Sequence, residues 1–238
     1  MSGAPAAKMQ TMATRIGDER RARLRDARLY LVCGAAGDGC GDLRAFLDAA
    51  LRGGVDVIQL REKDPAFRDE ALLAAARVFR EAADAHGALL VLNDRPDLAT
   101  AAQADGVHVG QDDMPIAEAR ALVGEDVLLG RSTHTPQQVD DAAIADVDYF
   151  AVGPVHATPT KPGRPAVGLE LIRHAASAPR AVPWFAIGGI DQANVDEVVD
   201  AGATRIVVVR ALTESDDPET TARALRGALP QEAGVGGR

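Results

Sequence analysis

The sequence predicts a single (β/α)8 barrel of the α/β class. Three observations carry that expectation: eight short apolar runs recur along the chain, helical stretches rich in Ala and Leu alternate with them, and polar clusters follow run after run. The runs are Leu29–Cys33, Val55–Leu60, Ala88–Leu92, Gly106–Val109, Val127–Gly130, Asp148–Val152, Trp184–Ile187 and Arg205–Val209. Nearly every position in them is apolar, as expected of parallel strands covered by helices. The intervening stretches Leu43–Leu51, Glu70–Ala85, Ala117–Val123, Pro136–Ile144 and Val195–Ala201 have helical spacing. A doubly wound open sheet fits the alternation too. The turns favour the barrel, because all eight strand ends of a barrel point to one rim, whereas an open sheet scatters its polar loops between two crevices.

The 238 residues suit one barrel or two small domains. We expect a barrel over residues 29–229, a short peripheral extension over 1–28 without an apolar period, and a Gly-rich disordered tail over 230–238. With 26 Lys and Arg against 35 Asp and Glu, the net charge is −9. That balance argues against nucleic acid or an anionic membrane as partner. No apolar run approaches the ~20 residues that span a bilayer, and no signal core is visible, so the expected location is cytoplasmic. Cys33 and Cys40 are expected as reduced thiols, and the five histidines have no zinc-site spacing.

The expected rim carries the chemistry. In Gln59-Leu60-Arg61-Glu62-Lys63, a guanidinium and an ammonium two residues apart can hold a diphosphate, or can simply form a solvated turn. Asn93-Asp94 closes the third strand and Gln111-Asp112-Asp113 follows the fourth. Carboxylates from neighbouring strands can share a magnesium ion with phosphate oxygens. The competing reading makes Asp94 the cap of a helix starting near Pro96, and Asp112 or Asp113 the cap of one starting near Pro115.

The loop after the sixth strand, Gly153 to Gly163, holds Thr158, Pro159, Thr160 and Lys161. It can close over an anion, or be an ordinary Pro/Gly surface loop. Gly188-Gly189 is expected to open a helix whose free N–H groups receive a phosphate, with Val209-Arg210 completing the site. Ser132 lacks a nucleophile elbow and is read as a hydrogen-bonding group. His134 is read as a structural partner and His108 as a satisfied core histidine.

These motifs occur in a specific order: QLREK at 59–63, NDR at 93–95, GVHVGQDD at 106–113, GRSTHT at 130–135, GPVHATPTK at 153–161, AIGGI at 186–190 and IVVVRAL at 206–212. From about Leu29 to Ala224 the chain resembles the thiamine-phosphate synthase family. The resemblance implies a Mg²⁺-dependent (β/α)8 transferase. Such an enzyme joins 4-amino-2-methyl-5-(hydroxymethyl)pyrimidine diphosphate to 4-methyl-5-(2-hydroxyethyl)thiazole phosphate, through a dissociative pyrimidine cation, and releases thiamine phosphate and pyrophosphate.

It further implies that Gln59, Leu60, Arg61, Glu62, Lys63, Asn93, Ser132 and Lys161 contact the pyrimidine diphosphate. Arg61, Lys63, Lys161 and Ser132 would be the catalytic groups, and Asp94 and Asp113 would hold Mg²⁺. Thr158, Pro159, Thr160, Gly189, Val209 and Arg210 would hold the thiazole phosphate. Arg210 stands where many relatives have Ser, and the first strand ends in Val32-Cys33-Gly34-Ala35 without the common Thr-Asp. The expected partners are the two small substrates, and a homo-oligomer is compatible with the sequence. A thiazole tautomerase on the same scaffold, or a non-catalytic phosphate-binding barrel, are the alternatives.

Overall fold

The computed structural model describes residues 4–157 and 165–230, with side chains from Arg15 onward. Eight parallel strands close on themselves in chain order: β1 (Leu29–Cys33), β2 (Val57–Leu60), β3 (Leu89–Asn93), β4 (Gly106–Val109), β5 (Leu128–Thr133), β6 (Tyr149–Val152), β7 (Trp184–Ile187) and β8 (Ile206–Val208). β8 returns to β1 with Tyr30 opposite Val207, which excludes the open sheet. Around the barrel run α2 (Leu43–Arg52), α3 (Asp69–His86), α4 (Ile116–Val123), α5 (Pro136–Ile144), α6 (Gly168–Ala176), α7 (Val195–Asp200), the short α8 (Arg210–Thr213) and α9 (Pro218–Ala228).

The pleat sorts the apolar residues into two cores. Leu29, Leu31, Ile58, Leu60, Leu90 and Leu92 face the helices, whereas Tyr30, Val32, Val57, Val91, Tyr149, Phe185 and Val207 fill the barrel. No helix among the described residues is long and apolar enough to cross a membrane.

The N-terminal extension is not peripheral. Ala4–Asp26 forms helix α1, and Leu24 with Ala27 buries against the barrel interior among Val57, Leu89 and Leu128. These three residues open their strands, so α1 closes the barrel floor. An apolar period is missing because the helix meets polar strand-entry loops: Arg20 donates to Asp105 and to the Asp126 carbonyl, Arg21 to Asp148, and Arg23 to the Gly87 carbonyl.

Asp56, Asp105 and Asp148 stand just before β2, β4 and β6. Each accepts a backbone N–H from the start of the preceding strand, at Leu29, Leu90 and Leu129, and each pairs with a helix arginine: Arg226, Arg80 and Arg120. The expected tail residues 231–238 lie outside the described residues.

Two expected helices differ. Near Pro96 there is only a 3₁₀ turn, Pro96–Leu98, before the chain reaches β4 at Gly106. After β7 the helix begins at Val195 and not at the glycine pair. Asn194 closes the intervening turn, donating to the Gly189 carbonyl and accepting from Asp191 N–H.

Candidate active site

A cavity of about 220 Å³ opens at the C-terminal end of the strands, where barrels carry their chemistry. Gln59, Arg61, Asn93, Ser132, Gly189, Val209 and Arg210 line it, brought together from β2, β3, β5, β7 and β8. Arg61 and Arg210 also line a neighbouring hollow with Asp38 and Glu214, so two guanidiniums flank the mouth.

Leu60 is the next residue on the pleat after Gln59, and its side chain is fully buried among the helices. It offers the rim only its backbone. Glu62 is occupied in closing its own turn, accepting from the N–H groups of Lys63 and Asp64 at 2.8 and 3.0 Å. A ligand at the rim would therefore meet Leu60 through its backbone alone, and a Glu62 carboxylate already engaged in its turn.

Lys63 is half-exposed and forms an ion pair with Asp94. Asp94 adopts the left-handed conformation, φ 55°, and its N–H donates to the His108 carbonyl at 2.8 Å. Its Oδ2 also accepts from Asn93 Nδ2 at 2.6 Å. Asp113 Oδ2 accepts from Gly110 N–H at 2.9 Å. A side chain on Gly110 would meet that carboxylate at 2.5 Å, so the turn depends on glycine.

The capping alternatives fail. The 3₁₀ turn after Asp94 has Arg95 at its N-cap, and α4 has Pro115, neither with a capping side chain. Each carboxylate uses Oδ2 within the protein, which leaves Oδ1 for an ion, and the two follow adjacent strands. The residues therefore suit a divalent cation completed by phosphate oxygens and water. Among the described residues no larger group of metal-binding side chains gathers.

On the far side, Gly188 and Gly189 have φ 111° and 64°. A Cβ on Gly188 would sit 2.5 Å from Pro154, and one on Gly189 2.8 Å from His156 Cβ. The glycines thus serve close packing against the loop after β6 as well as approach to a ligand. Val209 is the N-cap of α8, whose ladder begins with the N–H groups of Leu212 and Thr213, both on the Val209 carbonyl. Thr158, Pro159, Thr160 and Lys161 lie outside the described residues.

Four interior polar groups were not expected at the site. Both tyrosines of the chain, Tyr30 and Tyr149, line the cavity with His108 and His134. Burial pushes both phenols far above the ordinary tyrosine range. Tyr30 alternates with Leu29 and Leu31, which face the helices, and Tyr149 sits opposite Gly130 on the neighbouring strand. His134 Nδ1 donates to the Gly153 carbonyl at 2.5 Å, as expected of a structural partner. Cys33 is a free, buried thiol whose pKa burial raises, and Cys40 is also unpaired.

Residues 29–212 match the family model of thiamine monophosphate synthase. The chain belongs to the thiamine monophosphate synthase family. Within it, the thiamine-phosphate synthase of Saccharopolyspora erythraea is 56% identical over 216 residues, covering 88% of this chain and 96% of the relative. That of Streptomyces avermitilis is 54% identical over 206 residues, covering 86% and 94%.

The solved thiamine phosphate pyrophosphorylase from Pyrococcus furiosus superposes with a TM-score of 0.75 at 28% identity, covering 87% of this chain and 96% of that one. A 3-hexulose-6-phosphate synthase, at 19% identity and TM-score 0.59, shares the fold alone. Among the described residues, each family motif from QLREK to IVVVRAL places at least one residue on the cavity lining.

Proposed function

We propose that this chain joins 4-amino-2-methyl-5-(hydroxymethyl)pyrimidine diphosphate to 4-methyl-5-(2-hydroxyethyl)thiazole phosphate, forming thiamine phosphate and pyrophosphate. The observation that carries this reading is the convergence of Gln59, Arg61, Asn93, Ser132, Gly189, Val209 and Arg210 on one cavity, in a chain whose family and close relatives bear that activity in their names. In the reaction the bond from the pyrimidine methylene to the diphosphate oxygen breaks, and the thiazole nitrogen bonds to the same carbon. The pyrimidine amino group can donate electrons to that carbon, so departure of pyrophosphate can precede attack.

The chain's work is then electrostatic and positional. Arg61, Lys63 and Lys161 meet charge that builds on the leaving oxygens. Gly189 and the backbone at Val209-Arg210 seat the thiazole phosphate so that the ring nitrogen lies in line with the methylene. The Arg210 side chain adds a cation where a serine would offer only a hydroxyl. Asp94 and Asp113 would hold Mg²⁺, which when bound neutralises diphosphate oxygens. Lys63 would release its hold on Asp94 in favour of the diphosphate.

The test is to incubate the purified chain with both substrates and Mg²⁺ and to measure thiamine phosphate and pyrophosphate, with and without exhaustive chelation. Equimolar products are expected, abolished by chelation. No thiamine phosphate from protein that binds both substrates would overturn the reading, and full turnover after chelation would remove the metal from it.

A further inference from the structure

Five polar side chains from five strands form one hydrogen-bonded line through the barrel interior. Gln59 Nε2 donates to Tyr30 Oη at 2.6 Å, Tyr30 Oη and Tyr149 Oη lie 3.0 Å apart, Tyr149 Oη is 3.2 Å from His108 Nδ1, and His108 Nε2 is 2.9 Å from Ser132 Oγ. All five are buried, and their neighbours include Val32, Val91 and Phe185. Polar groups in such surroundings are costly unless every member is satisfied.

The backbone is fitted to this line. Tyr149 sits opposite Gly130, and a Cβ there would lie 2.2 Å from the phenol Cζ. Gly130 also sits opposite His108 on its other side. A bare Cα on β5 therefore lets the ring of Tyr149 lie across that strand and reach both His108 and Tyr30.

The line has a direction. An amide N–H only donates, and each hydroxyl owns one proton. Tyr30 accepts from Gln59, and the direction proposed here gives its own proton to Tyr149 Oη, the other partner its hydroxyl has among the described residues. The Tyr149 proton then goes to His108 Nδ1, which must offer a lone pair. A neutral His108 so placed carries its proton on Nε2 and donates it to Ser132 Oγ.

We propose that Gln59, Tyr30, Tyr149 and His108 form a one-way line that locks His108 as the Nε2–H tautomer and makes Ser132 a donor toward a lone-pair atom of the heterocycle in the cavity. Tyr30, Tyr149 and His108 are positioning residues. That the heterocycle is the pyrimidine, whose ring nitrogens carry lone pairs, rests on the function proposed above. A donor facing the thiazole nitrogen would instead blunt the nucleophile.

The experiment uses the full chain with ¹⁵N-labelled histidine, the His108 ring signals being identified by their loss in His108→Gln. Long-range proton–nitrogen correlation at mildly alkaline pH is expected to give Nδ1 as the lone-pair nitrogen and Nε2 as the protonated one. In Tyr149→Phe the ring still fills the Gly130 cradle but the link is cut, so the two tautomers should mix. Tyr30→Phe cuts the line one step earlier and should mix them too.

In turnover, Tyr149→Phe should lower kcat/KM for the pyrimidine diphosphate about tenfold while the KM for thiazole phosphate stays unchanged. His108→Gln keeps an N–H near the Nε2 position and should retain more activity than His108→Leu. A proton on Nδ1 in the unaltered chain would overturn the proposal, as would an unchanged single tautomer in both phenylalanine variants. The tautomer measurement needs no turnover. A locked His108 in a chain that makes no thiamine phosphate would therefore uphold the line and sink only the reaction.

Discussion

Asp94 is held by an ammonium on one side and the Asn93 amide on the other, with one oxygen left over. Asp94→Asn should therefore raise the Mg²⁺ concentration needed for half-maximal rate and lower turnover by about tenfold or more. Rate against Mg²⁺ concentration reads this directly. Asp113→Asn should behave alike, and an unaltered rate at subsaturating Mg²⁺ would reduce Asp113 to the partner of Gly110 N–H. If Lys161 meets charge that develops on pyrophosphate, Lys161→Ala should slow single-turnover chemistry about a hundredfold while thiazole phosphate binding holds.

The buried tyrosines make a separate prediction about pH. Their folded-state pKa values lie above those of the unfolded chain, so the stabilisation is whole below the ordinary tyrosine pKa of ~10 and is lost as pH rises past it. Denaturant melts taken from about pH 9 to about pH 11 should show stability falling, and falling less steeply in Tyr149→Phe, which has one buried phenol fewer. That Gln59 and Leu60 point to opposite sides of their strand was legible from the pleat alone. The partners of Asp94 were not, because nothing local tells a capping carboxylate from one held by a neighbouring strand's lysine.

Helix α1 and the glycine turn after β7 are the elements that sequence periodicity misjudged. α1 binds the barrel floor through arginines and two small apolar contacts, so no stripe marks its buried face. Leu24→Ala should cost about 2–5 kcal/mol, the usual range for a buried leucine that leaves a cavity. Asp148→Ala removes the shared partner of Arg21 and Arg120, leaves the buried Arg120 guanidinium with two carbonyls and the exposed Asp146, and should cost about 3 kcal/mol. Denaturant melts measure both. At Gly189, valine would collide with His156 and strain a left-handed turn. The variant should therefore disturb the loop toward Lys161 and weaken both substrates, not the thiazole phosphate alone.

Stability and chemistry occupy opposite ends of the barrel. The floor is tied by Asp56, Asp105, Asp148 and α1, and the rim carries the cavity, Arg61, Arg210 and the two magnesium candidates. Leu24→Ala should consequently lower the melting temperature while leaving the KM for both substrates unchanged at temperatures where the variant is folded. A shift in KM there would mean that floor and rim are mechanically coupled. The net charge of −9 repels anionic substrates in general, so the few cations at the rim must act at short range.

Eight apolar runs, their alternation with helical stretches and the ordered motifs were enough to read the barrel and the family from the chain alone. Those features are local, because strand burial, helix spacing and the residues following each strand are written within a few positions of one another. Closure of β8 on β1, the plug made by α1 and the line from Gln59 to Ser132 depend on groups far apart in sequence. Tyr30 and Tyr149 look like ordinary strand aromatics in the sequence. Folding places their hydroxyls 3.0 Å apart, with Gly130 leaving the space that one of them needs. Such contacts arise where strands from different parts of the chain meet inside a closed barrel, and only the three-dimensional packing decides them.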